Sequence, residues 1–245
     1  MTYCVGMRLS KGLVFMSDTR TNAGVDDISI VKKMHNWSVP GERMITLMTA
    51  GNLATTQALV SLLSERSVTP DERDPSIFKV PTMFQVARLI GKTLREVIHA
   101  NERSGQEAGA EFNATLILGG QIKGMEPRLF LIYPEGNFIE ASSDSPFFQI
   151  GETKYGKPIL VRAYDPDMSF EDTVKLLLLS FDSTLKANLS VGLPLDVQTY
   201  TADSLETGGQ FRISETDPYY MEVSGGWGEA LKSAFQSLPT FELPK

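Results

Sequence analysis

The alternation of apolar and polar positions opens the chain as a hairpin. Tyr3 to Leu9 and Leu13 to Ser17 read as strands, joined by Ser10-Lys11-Gly12, where the glycine supplies the turn conformation. Thr19 to Asp27 is polar, Ile28 to Met34 is β-rich, and Arg43 to Thr49 is an apolar strand closing at Ala50-Gly51. The period then changes from two to about 3.6. A helix is predicted from about Leu53 to Glu65, with Leu59, Leu62 and Leu63 on one face, and a second from about Met83 to Ala100. In the second, Val86, Ile90, Leu94, Val97 and Ile98 recur at helical spacing, the mark of an amphipathic helix lying on a sheet. Ser67 to Pro81 between them reads as a loop rich in Pro and Asp.

Strand signals return at Asn113–Leu118, Arg128–Tyr133, Asn137–Glu140 and Phe147–Ile150, read together as a second antiparallel sheet. Ser169-Phe170-Glu171-Asp172 resembles a capping box and opens a helix to about Leu189. Leu176 and Leu179 widen its apolar surface nearly all round, so heavy coverage is expected. Strands at Asp196–Thr201 and Gln210–Ser214 precede an aromatic-containing tail, Asp217 to Lys245, with a short helix near Gly228–Gln236. This order predicts an α+β fold of two packed sheets with helices outside.

Composition narrows the function classes. A length of 245 residues and 42% hydrophobic content fit one domain over 1–245, with 217–245 as a C-terminal extension. A net charge of −7 and no basic stripe argue against nucleic acid, whose binding needs clustered Lys and Arg. The single cysteine, Cys4, forms no internal disulfide, and the opening lacks the layout of a secretory signal, so a cytoplasmic address is expected. The most apolar run, Leu176 to Leu179, is too short to span a bilayer. No internal repeat or phosphate loop is apparent, and His35 and His99 lack partners at metal spacing, so neither metal nor cofactor is expected and both histidines read as surface or half-buried.

Candidate chemistry starts at position two. A threonine hydroxyl needs a base, and a free α-amine with a pKa of about 7.7–8.0 is one, so Thr2 behind a removable Met1 has both in one residue. Asp18 ends the second hairpin strand, which returns antiparallel toward Thr2. A lysine beside Thr2 would favour its ionised hydroxyl; on a strand, Val31 and Lys33 share one face and Lys32 takes the other, so one of the two lysines can face Thr2. Gly51 closes a strand just before a helix, where its N–H can serve an oxyanion. Each has a bland alternative as a turn aspartate, a solvated lysine or a glycine turn. Cys4 is the competing nucleophile, but two residues into an apolar strand it reads as a small buried hydrophobe.

Together, Thr2, Ser17-Asp18-Thr19-Arg20-Thr21-Asn22-Ala23-Gly24, Val31-Lys32-Lys33 and Thr49-Ala50-Gly51 closely resemble the start of proteasomal β subunits and of the bacterial proteasome-like peptidase. The resemblance implies a four-layer αββα sandwich of the N-terminal-nucleophile hydrolase class. It carries the nucleophile onto Thr2, the aspartate onto Asp18, the lysine onto Lys33 and the oxyanion glycine onto Gly51. Thr21 and Asn22 match the segment that pairs with an extended substrate, and Thr49, with Leu53, matches the pocket lining. Ser190 matches the supporting serine. Glu152 replaces a loop serine of the family, and the supporting aspartate falls near Ala187 or Asn188, neither acidic. The lack of a propeptide ahead of Thr2 and the long tail after Gly209 look most like the ancestral-β-subunit (Anbu) branch. Implied partners are a peptide or protein substrate and further copies in a ring or ring-like homo-oligomer; an unfoldase partner is not specified.

The leading expectation is therefore peptide or amide hydrolysis through an acyl-Thr2 intermediate. A non-proteolytic amidase and a catalytically idle ring subunit stand beside it, the latter motivated by Glu152 and the Ala187–Asn188 departure.

Overall fold

The computed structural model describes residues 2–22, 28–68, 76–102 and 112–244. Two five-stranded antiparallel sheets form its centre. The first has the order β10 (Phe147–Gly151), β1 (Tyr3–Leu9), β2 (Gly12–Asp18), β11 (Leu195–Thr201), β12 (Gly209–Ile213). The second runs β5 (Met34–Val39), β6 (Arg43–Gly51), β7 (Ala114–Ile122), β8 (Arg128–Ile132), β9 (Phe138–Glu140). A two-stranded ribbon pairs β3 (Arg20–Asn22) with β4 (Ile28–Ile30).

Side-chain alternation builds the layers. On β1, Tyr3, Val5, Met7 and Leu9 face outward to α3 (Lys157–Ala163) and α4 (Phe170–Ala187), while Cys4 faces the other sheet. On β6, Ile45 and Leu47 face α1 (Leu53–Val68) and α2 (Met83–Glu102), while Met44 and Met48 join Cys4, Phe15 and Ile117 between the sheets. Strands buried on both faces read as continuous apolar runs for this reason. Each fully buried Leu, Met or Phe contributes about 1.5–3 kcal/mol of hydrophobic stabilisation. The result is the expected four-layer αββα sandwich.

The helices start where the caps lie. Thr55 N–H donates to Asn52 Oδ1 at 3.0 Å at the start of α1, and Asp172 N–H donates to Ser169 Oγ at 2.9 Å at the start of α4. α4 is as covered as its composition demands, with Leu176, Leu177, Leu178 and Phe181 all buried, although it ends at Ala187 rather than Leu189.

Several expectations are corrected. The strand Phe147–Gly151 does not join its sequence neighbours; it crosses to pair with β1, so the later strands are divided between the sheets. Val31–Lys33 is not strand, and the strand lies instead at Met34–Val39. Helix α3 was unforeseen, being one short segment with Pro158 in its first turn. The short terminal helix is a 20-residue one, α5 (Pro218–Ser237), capped by Asp217, whose Oδ1 accepts from Tyr220 N–H at 3.0 Å. Its start docks on α4: Tyr220 and Val223 meet the core, and Ser224 Oγ donates to the buried Asp182 at 2.6 Å. Part of the 67–81 loop, residues 69–75, lies outside the described residues. His35 is half-buried and His99 exposed. Among the described residues no helix is long and apolar enough to cross a membrane.

Candidate active site

Thr2 stands at the start of β1, held from both sides. Glu152 N–H, just beyond β10, donates to the Thr2 carbonyl at 2.7 Å. Tyr3 N–H donates to Asp18 Oδ1 at 2.9 Å, which brings the end of β2 against the first peptide of β1. Gly151 has a φ of +82°, and a Cβ there would lie 1.9 Å from the Thr2 carbonyl oxygen, so only glycine allows β10 to approach this closely. The Tyr3 ring anchors the arrangement from below: its hydroxyl is 2.7 Å from Ser180 Oγ and accepts from Gln149 Nε2 at 2.6 Å. Burial pushes this phenol up to about 12.

Asp18 is fully buried, and Lys33 nearly so. Lys33 Nζ donates to Asp18 Oδ1 at 2.7 Å and to the Arg20 carbonyl at 2.6 Å. Burial pushes the Asp18 carboxyl above its ordinary range, and the Lys33 ammonium together with the Tyr3 N–H draws it back. Asp18 Oδ2 has no well-formed hydrogen bond among the described residues, although the Gly192 N–H approaches the carboxylate. Lys33 points inward while Lys32 is exposed, but strand alternation is not the cause. The segment is irregular, and it is oriented by two backbone bonds, Val31 N–H to the Thr19 carbonyl at 2.8 Å and Thr49 N–H to the Lys33 carbonyl at 3.0 Å.

A cavity of about 30 Å³ opens here, and Thr2, Thr21, Lys33, Thr49, Gly51 and Leu53 line it. Gly51 reaches the wall at the end of β6 with a φ of +119°; a Cβ would lie 2.3 Å from the Asn113 carbonyl oxygen. The Asn22 backbone continues β3, while its side chain and the Ala23-Gly24 part of the motif lie outside the described residues. Cys4 is wholly buried between the sheets, and burial pushes its thiol far above the range of a nucleophilic thiolate.

Ser190 is not on the cavity wall; its N–H and hydroxyl both donate to Asn188 Oδ1, at 3.0 and 2.5 Å. Asn188 Nδ2 donates to Glu152 Oε2 at 2.9 Å, so Asn188, not Ala187, is the residue that links Ser190 to Glu152. Sequence reasoning had no role for Arg20, whose guanidinium covers Gly192 and donates to the Leu189 carbonyl at 3.1 Å. Its only signal was its position inside the quoted motif. Among the described residues no three His, Cys, Asp or Glu side chains are grouped to hold a metal ion. A larger cleft, about 760 Å³, lies at the other end of β1 beside Arg8, Gln121 and Asp203, and none of the candidate residues lines it.

The comparisons with known proteins agree on this architecture. The family model described as proteasome subunit matches residues 2–197. The chain is 26% identical over 224 residues to proteasome subunit alpha 1 of Haloarcula marismortui, covering 91% of this chain and 78% of that protein. Among solved structures, Anbu (ancestral beta-subunit) from Yersinia bercovieri is 52% identical, with a TM-score of 0.91 over 98% of this chain and 100% of that one. The structure described as the helical assembly of the Anbu complex from Pseudomonas aeruginosa is 41% identical, with a TM-score of 0.90 over 98% of both chains. With two such sheets, this helix order and matches of this extent, the chain belongs to the proteasome subunit family, on its ancestral-β-subunit (Anbu) branch.

Proposed function

We propose that the chain is an N-terminal-threonine hydrolase that cleaves peptide or amide bonds through an acyl-Thr2 intermediate. The observation that carries this reading is the convergence of Thr2, Lys33 and Gly51 on one small cavity, with Lys33 clamped to buried Asp18. After Met1 is removed, Thr2 Oγ attacks the substrate carbonyl carbon, and its proton passes to the Thr2 α-amine, directly or through water. The Lys33 ammonium stabilises charge on Oγ, and the Gly51 N–H donates to the oxyanion of the tetrahedral intermediate. Collapse breaks the C–N bond, the amine returns its proton to the leaving group, and water then hydrolyses the Thr2 ester with the same amine as base. Thr21 and Asn22 on β3 pair with the extended backbone of the substrate.

Assembly belongs to the same proposal. The Pseudomonas aeruginosa relative is described as a helical assembly, which supports a ring-like or helical homo-oligomer of this chain. A second reading, an amidase acting on a small substrate, shares this Thr2 chemistry. Treatment of the purified chain with a β-lactone acylating agent, followed by peptide mass mapping, tests the shared step. Labelling on Thr2 is expected; labelling elsewhere, or none, overturns the assignment.

A further inference from the structure

Two surface features of this chain complement each other and lie on opposite outer layers of the sandwich. The first is a groove of about 280 Å³ where the loop before α2 meets the first turns of that helix. Val80, Pro81 and Leu89 give it apolar walls, while Lys79, Arg88 and Lys92 give it charge; among the described residues no carboxylate lines it. Residues four apart share a helix face, so exposed Arg88 and Lys92 stand one turn apart and repel each other. Glu96 lies 3.7 Å from Lys92, but it is shared with Arg66, which it meets at 3.1 Å. In a chain of net charge −7, cations gathered beside apolar walls suit an apolar segment that carries an anion.

The second feature is such a segment. After α5 the chain continues as Leu238-Pro239-Thr240-Phe241-Glu242-Leu243-Pro244, and every one of these residues is exposed. Phe241 and Leu243 are 79% and 82% exposed, with Glu242 between them. A proline holds the residue before it extended, so Pro239 and Pro244 restrain Leu238 and Leu243; Leu238 has φ −78° and ψ 150°. A segment already held extended loses less freedom when it docks.

The tail leaves α5, which packs on α4, whereas the groove belongs to the α1–α2 layer beyond both sheets. The tail of a chain does not line that chain's own groove. We infer that residues 238–244 of one copy dock in the α2 groove of a second copy. Phe241 and Leu243 meet Val80, Pro81 and Leu89, and Glu242 meets Arg88 and Lys92. This rests on the homo-oligomer proposed above and names the surfaces that join its subunits. A contact between two different patches is heterologous: each copy gives its tail to one neighbour and its groove to another. Such a contact repeats, closing into a ring or running on as a helix according to the rotation at each step, whereas a self-complementary patch would stop at two copies.

The test is sedimentation of the full chain over a range of concentrations. Arg88→Glu with Lys92→Glu in one variant, and Glu242→Arg in another, should each shift the chain to smaller species and raise the concentration needed for assembly roughly tenfold or more. Phe241→Ser with Leu243→Ser should do the same by removing the apolar contact. Combining Arg88→Glu, Lys92→Glu and Glu242→Arg in one chain restores opposite charges and should return assembly toward wild type, a recovery that damage to the fold would not give. Wild-type sizes in the separate variants, or no recovery in the combined one, overturn the inference and leave the homo-oligomer to other surfaces. A wild-type chain that sediments as a monomer overturns both.

Discussion

Lys33 Nζ lies 2.7 Å from Asp18 Oδ1 in an almost water-free setting, with the two side chains 7% and 0% exposed. Removing one partner strands a buried charge, which costs about 3–5 kcal/mol, so a lost activity in Lys33→Ala has two explanations, chemical and structural. The double variant Asp18→Asn with Lys33→Met separates them. It should regain most of the melting temperature lost by Lys33→Ala and still acylate orders of magnitude more slowly than wild type. Lys32→Ala, at an exposed side chain, should stay near wild type in both measurements.

Thr2→Ala removes one hydroxyl from a half-buried residue at the end of β1. Its melting temperature and sedimentation profile should match wild type, and turnover and β-lactone labelling should vanish. Unchanged turnover would place the nucleophile elsewhere.

His35 gives the fold an acid-sensitive point. Burial, and then the charge of Lys32, lowers its pKa from 6.5 to about 4, so the folded state resists the proton that the unfolded chain accepts. Stability from this residue is complete above pH 6.5 and is lost as the pH falls toward 4, by up to about 3 kcal/mol at 1.36 kcal/mol per unit. Urea unfolding of His35→Gln should show a flatter acid limb over that window. An identical limb in the variant assigns the acid sensitivity to other groups.

Gly151→Ala should both destabilise and displace. A side chain at φ +82° is strained, and its Cβ would stand 1.9 Å from the Thr2 carbonyl oxygen, so β1 or β10 must shift. A loss of about 1–3 kcal/mol is expected, with slower acylation by the β-lactone in the fraction that remains folded.

Lys32, Lys33 and Leu53 are among the residues lining the cavity beside Thr2. Substrates with an apolar residue on the acyl side of the scissile bond should outperform those with Arg or Lys, because the two lysines repel a like charge. A fluorogenic peptide series that varies only this residue measures the order.

How much could be read in advance depended on how local the cause was. The hairpin, the caps at Ser169 and the faces of α2 and α4 follow from neighbours in sequence, and they were legible. Thr2, Asp18, Lys33 and Gly51 were legible only as a set, through resemblance, since each alone is an ordinary residue. Resemblance selected Lys33 over Lys32, but the reason that one lysine alone faces the site is not alternation, which requires a strand: Val31–Lys33 is shaped by bonds to Thr19 and Thr49 instead. The Glu152–Asn188 contact joins residues 36 apart on two loops, which no periodicity records. The terminal helix was read only from near Gly228, whereas α5 begins at Pro218 and runs through Gly225 and Gly226, which disfavour helix, with its first turns docked on Asp182 of α4.

The crossing of β10 and β11 into the first sheet also has a consequence in time. The hairpin that carries Thr2 is flanked on both sides by strands made much later, β10 ending at Gly151 and β11 at Thr201. At synthesis rates of about 5–20 residues per second, the hairpin waits roughly ten seconds or more on the ribosome for its last neighbour. The β1 edge stays open until β10 is made, and the Glu152 N–H that seats Thr2 does not exist before then; the β2 edge stays open until β11 follows. A newly made chain therefore seats Thr2 only after β10 has been made, late in the growth of its fold.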